Sequence, residues 1–168
     1  MNWAHAHLIL NHEPVVGLLL VLPILAWGLA RRSQDLLRAG LSLLVLLALL
    51  SLAVFFTGEP AEELVENLAG VSEPMIERHE EAALFATIAL VVVGALSLAG
   101  LLSFRRRAIP LRLPAVLLLL SLVPAGAVAW TANLGGQIRH PEIRSAIVVD
   151  SKLVTTPAPP RLATEGDR

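Results

Sequence analysis

The feature that most constrains this 168-residue chain is an uncharged apolar run from Ala82 to Phe104. It is bounded by Arg78-His79-Glu80-Glu81 on one side and Arg105-Arg106-Arg107 on the other. At ~1.5 Å per residue, a helix of that length crosses a hydrocarbon core of about 30 Å. Basic flanks are retained on the cytoplasmic side of a membrane. The triple arginine therefore marks the cytoplasmic end, and the His-Glu-Glu end lies at the opposite face.

The composition agrees with a membrane chain: hydrophobic residues make up 55% and charged residues only 16%. The charges are excluded from four blocks near or above membrane-spanning length. A net charge of −1, with no basic stripe beyond two short clusters, argues against nucleic acid as a partner. The chain has no cysteine, which excludes disulfides, thiolate metal sites, iron–sulfur clusters, covalent haem and cysteine nucleophiles. Any metal would have nitrogen and oxygen ligands. No Lys or Arg precedes Arg31, so the positive region of a cleavable signal peptide is missing and the first apolar segment is expected to be a retained span.

In chain order, residues 2–10 read as an interfacial lead-in with Trp3 at headgroup depth. Asn11-His12-Glu13-Pro14 reads as a helix start, with Asn11 as N-cap. Four spans are expected at about 12–30, 36–56, 78–104 and 113–133, with kinks at Pro23 and Pro124. Thr57-Gly58 reads as the cap that ends the second span. An acidic stretch from Glu59 to Glu77 predicts a surface amphipathic helix over about 59–69, from Leu64, Val65 and Leu68 at helical spacing. Gly70 would stop it, and Ser72 would cap the third span. Gly135-Gly136 is expected to end the fourth, and residues 145–168 read as a largely disordered extracytoplasmic tail.

Seven basic residues fall in the two loops on the arginine side (Arg31, Arg32, Arg38, Arg105, Arg106, Arg107, Arg112). That bias predicts both termini outside the cytoplasm. The expected fold is all-α: a four-transmembrane-helix bundle of two tandem helical hairpins, N-out and C-out, spanning residues 1–144. Each half reads His-Glu, apolar span, arginine cluster, apolar span, glycine turn, from His12 to Gly58 and from His79 to Gly136. Tandem hairpins would put His12 and His79 at equivalent depths.

All five histidines (His5, His7, His12, His79, His140) fall on the outer side, with Glu13, Glu80, Glu81 and Glu142 near them. His12 and His79 stand out because each lies in the first turn of a span, where an unpaired polar group is costly. His5 and His7 read as histidines that cap helices and meet headgroups. Ala82, Ala83 and Ala86 share a helical face with His79, a stripe best read as close helix packing. Imidazole binds Zn, Cu, Fe or haem iron, and a neighbouring carboxylate orients it. Paired His12 and His79 could ligate a b-type haem, with Arg139 and Arg144 near its propionates. A Zn or di-metal site would draw on His12, His79 and His140 with Glu59, Glu63 or Glu80.

The His12-Glu13-Pro14 start, the Thr57-Gly58-Glu59 exit and Leu134-Gly135-Gly136 followed by His140 resemble a family of small predicted four-span bacterial inner-membrane proteins of no established function. The resemblance covers about residues 7–144. More distantly, such proteins are similar to four-helix b-type cytochromes, which implies haem held between helices by paired histidines. This chain departs from that pattern, since its histidines lie at span ends and spans two and four contain none.

The expectation is thus a multi-pass protein of the bacterial cytoplasmic membrane with a haem b or divalent-metal (Zn, Cu, Fe) site at its outer face. Electron transfer with quinone or a larger redox complex would suit such a site, and a homo-oligomer is open. Two alternatives stand beside it: a non-catalytic subunit or assembly helper without cofactor, and a membrane metal-dependent hydrolase.

Overall fold

The computed structural model describes residues 2–64, 66, 68, 71, 73–140 and 143. The expectations placed on Val65, Gly70, Ser72, Glu142, Arg144 and residues 145–168 lie outside the described residues. Among the described residues six helices follow one another: α1 (Trp3–Leu10), α2 (Glu13–Arg31), α3 (Gln34–Phe56), α4 (Gly58–Glu62), α5 (Glu73–Ser103) and α6 (Arg112–Arg139). No strand occurs among the described residues.

The long helices α2, α3, α5 and α6 form a ring in which α2 packs on α3, α3 on α5, α5 on α6 and α6 back on α2. Every neighbour is antiparallel, so the bundle has a histidine end, where α2 and α5 start, and an arginine end. The core repeats at helical spacing: Leu18, Val21 and Leu25 on α2 face Leu37, Leu41 and Leu44 on α3. Outside this stripe the helices stay apolar, and large side chains such as Leu19 (67% exposed) and Leu119 (66%) point away from the bundle. A soluble bundle would carry charges there. Four helices long and apolar enough to cross a membrane, with greasy outer faces, make this a multi-pass membrane protein.

Lipid tails are as apolar as leucine, so helices in a membrane associate through close packing of small residues rather than through a hydrophobic drive. Gly94 of α5 shows this: a Cβ there would collide with that of Ala48 on α3 and sit 3.2 Å from the Leu44 carbonyl oxygen. The buried serines leave no hydroxyl unpaired. Ser97 donates to the Val93 carbonyl (2.8 Å), Ser121 to that of Leu117 (2.7 Å) and Ser51 to that of Ala48 (2.8 Å). α2 runs on through Pro23, and α6 through Pro124.

Several local expectations are corrected. Residues 3–10 form a helix of their own, α1, started by Asn2, whose side chain accepts the His5 amide at 3.0 Å. Asn11 is not the N-cap of the first span. The chain stays right-handed helical through Asn11 and His12, and the Asn11 amide bonds back to the His7 carbonyl at 2.8 Å, so no cap position opens there. The break between α1 and α2 follows from Pro14, which offers no N–H to the Leu10 carbonyl and crowds it with its ring. Among the described residues of the acidic stretch, the short α4 is the one helix before α5, which begins at Glu73 with Pro74 in its first turn. Gly135-Gly136 does not end α6, which continues to Arg139; the reason lies in what Gly135 touches, described below.

At the arginine end, α3 fastens the distant α5–α6 loop. The Gln34 side chain accepts the Ile109 amide (2.8 Å) and donates to the Ile109 carbonyl (3.2 Å), as a neighbouring strand would. One turn on, Arg38 donates to the Phe104 (2.9 Å) and Arg107 (2.7 Å) carbonyls. Phe104 closes α5, so the cation sits at the negative end of that helix dipole.

Candidate functional site at the histidine end

α1 packs against α4 and against the end of α3, which brings His7 onto the last turn of α3. His7 Nδ1 lies 3.2 Å from the Val54 carbonyl oxygen and 3.1 Å from Thr57 Oγ1. The Thr57 hydroxyl gives its own hydrogen to the same carbonyl (2.8 Å), so both His7 partners act as acceptors. A carbonyl cannot donate, so Nδ1 carries the hydrogen and, in the neutral ring, Nε2 carries a bare lone pair.

His79 repeats the arrangement in the second hairpin. Its Nδ1 donates to the Thr131 carbonyl at 3.0 Å, and the Thr131 hydroxyl donates to the Ala127 carbonyl at 2.9 Å. Both imidazoles also lie beside a glycine. A Cβ on Gly58 would sit 3.8 Å from His7 Cε1, and one on Gly135 would sit 3.0 Å from His79 Cε1 and 3.3 Å from Nδ1. Gly135 is therefore a seat for the His79 ring within α6, which is why a glycine pair there does not stop the helix.

In each hairpin, then, a histidine at the start of the first arm bonds a carbonyl near the end of the second. By this relation the counterpart of His79 is His7, not His12. His12 is exposed, and its Nδ1 donates to the Leu8 carbonyl one turn back (3.1 Å), so its Nε2 is bare as well. Beside His12, the Asn11 side-chain oxygen is buried without a hydrogen-bond partner.

Carboxylates complete this end. Glu62 on α4 and Glu80 on α5 share a hydrogen bond, which requires a proton between them. That bond, then burial, then the negative charges of Glu80 and Glu66 push the Glu62 carboxyl up to about 7. Glu59 and Glu63 are exposed on and just after α4. Arg139 is exposed in the last turn of α6, and His140 caps that helix with its amide bonded to the Gly136 carbonyl at 3.0 Å. Of the residues singled out in the sequence, His79, Glu80, Arg139 and His140 thus gather on α5 and the end of α6. Among the described residues no three His, Cys, Asp or Glu side chains converge as a ready metal cage.

Sequence reasoning set His7 aside as a headgroup histidine, read Thr57 as a helix cap alone, and passed over Thr131. A signal for His7 existed: Asn2 followed three residues later by His5 fits an N-cap, and a helix starting there turns His7 toward whatever α1 packs on.

Chemically, the arrangement offers two imidazoles of fixed tautomer, each showing Nε2, with a shared carboxyl proton nearby. Backbone carbonyls orienting Nδ1–H are the usual outer support of a metal-ligating histidine. Comparison with protein-family models, curated proteins and solved structures finds no match to this chain.

Proposed function

We propose that this chain is a protein of the bacterial cytoplasmic membrane, with both termini outside, that holds a haem b or a divalent metal at its histidine end and takes part in electron transfer. The observation that carries the reading is the matched pair His7 and His79, each with Nδ1–H tied to a backbone carbonyl and Nε2 left to ligate. The seven basic residues at the opposite end support the orientation.

Haem suits two imidazoles because a porphyrin supplies the remaining four nitrogens itself. When bound, it would supply a one-electron couple. His7 and His79 would hold the iron, Arg139 would pair with a propionate, and the Glu62–Glu80 pair would keep a proton available at the outer surface for an electron partner such as a quinone. A zinc or copper ion would use the same imidazoles and take its further ligands from Glu80, His140 or water.

Oxidised and dithionite-reduced visible spectra of the detergent-purified protein, with elemental analysis of the same sample, test this. A reduced α-band with stoichiometric iron is expected for haem, and colourless protein with one equivalent of zinc or copper for a metal. Colourless, metal-free protein after haem supplementation would contradict the reading and favour a subunit without cofactor.

A further inference from the structure

The arginine end has a different chemistry and does not depend on the site above. Arg31 and Arg32 close α2, while Arg105, Arg106 and Arg107 follow α5 and Arg112 opens α6; all six are exposed. Across both loops the only carboxylate is Asp35. Like charges repel, so two arginine clusters would drift apart if nothing held them. Here they are held. The Gln34 amide and the Arg38 guanidinium reach from α3 to the α5–α6 loop through the four hydrogen bonds to Ile109, Phe104 and Arg107. Arg38 spends its charge on carbonyl oxygens, so it holds the loop in place and leaves the exposed guanidiniums for another anion.

Their depth says which anion. The Arg31 guanidinium lies 5.7 Å over the ring of Trp27, and Trp27 is itself exposed (61%) on the apolar outer face of α2. An indole on the lipid-facing surface with a guanidinium directly above it marks the boundary between acyl chains and headgroups. The exposed Leu102 and Leu111 carry the apolar surface to the foot of the α5–α6 loop. Six cations at that level meet lipid phosphates before they meet anything in solution.

We propose that the two loops form one docking surface for the headgroups of anionic phospholipids, assembled in advance by Gln34 and Arg38. Phosphate recognition follows from the forked donors of arginine, and juxtamembrane clusters of this size attract an anionic leaflet.

Trp27 can report the lipid beside it. The full chain carrying Trp3→Phe and Trp130→Phe is reconstituted into mixed phosphatidylcholine and phosphatidylglycerol vesicles, with either lipid brominated in turn. Brominated phosphatidylglycerol should quench Trp27 more than an equal amount of brominated phosphatidylcholine. Changing Arg105, Arg106 and Arg107 to glutamine should lower that preference by roughly fivefold per arginine. Gln34→Ala, which keeps every charge but removes two of the four hydrogen bonds that hold the loop, should lower it as well. Should the triple variant fail to fold, raised salt applied to the parent protein must abolish the preference. Equal quenching by both lipids, or a preference indifferent to the arginines and to salt, would overturn the docking surface. A preference untouched by Gln34→Ala would overturn its pre-assembly.

Discussion

Gly126 and Gly135 both lie inside α6, and the same substitution should act on them in opposite directions. Alanine favours a helix over glycine by about 1 kcal/mol. At Gly126 nothing lies within 4 Å of an added Cβ, so Gly126→Ala should raise the melting temperature. At Gly135 the added carbon would press on the His79 ring and disturb the bond from Nδ1 to the Thr131 carbonyl. Overpacking costs about 1–3 kcal/mol and outweighs the helix gain. Gly135→Ala should therefore destabilise the protein by about 1 kcal/mol, read as a lower melting temperature in the same detergent. At this scale the sequence pointed to His79 but not to its partner. Leu134-Gly135-Gly136 read as a stop because a glycine pair usually is one. Only the packing of α5 on α6 reveals that the missing Cβ makes room for an imidazole.

At the scale of elements, α4 packs on α1 and α3, and its side-chain tie to α5, through which it docks there, should follow pH through Glu62. Its folded pKa is raised from 4.5 to about 7, first by the hydrogen bond with Glu80. Between those values the docked form binds a proton that the undocked form has released. Docking is therefore strongest below about pH 4.5, weakens as pH rises through that window, and has lost this contribution above about 7. Hydrogen exchange of the α4 amides should speed up between pH 5 and pH 8 beyond its intrinsic pH dependence. Glu62→Gln, which donates permanently, should remove the excess. An unchanged excess in that variant would refute the shared proton. The Glu62–Glu80 carboxyl pair was not legible, since residues 62 and 80 meet only through the fold. The same holds for α1. Residues 2–10 read as a lead-in because the Asn11-to-Pro14 signature drew the helix start to itself, although Asn2 was already a competent cap.

For the whole molecule, the four-helix bundle was legible because a hydrocarbon solvent imposes coarse rules: long uncharged blocks, basic loops on one side, glycine and serine where helices touch. Partners at a separation of dozens of residues were not legible, and they define both ends of the bundle. Arg38 finds the Phe104 and Arg107 carbonyls, His7 finds Val54, and His79 finds Thr131. The repeat visible in the sequence aligned His12 with His79, because a His-Glu dipeptide precedes each apolar run. The bonds instead align His7 with His79, since each reaches across its own hairpin to a carbonyl near the end of the second arm.

That alignment is the centre of the account, and it separates the histidines by experiment. The measurement is cofactor content per chain, by visible spectrum and elemental analysis, in His7→Ala, His79→Ala and His12→Ala proteins purified in parallel with the parent. His7→Ala and His79→Ala should each lose most of the bound haem or metal while His12→Ala retains it. Retention in His79→Ala, or loss in His12→Ala with retention in His7→Ala, would contradict it.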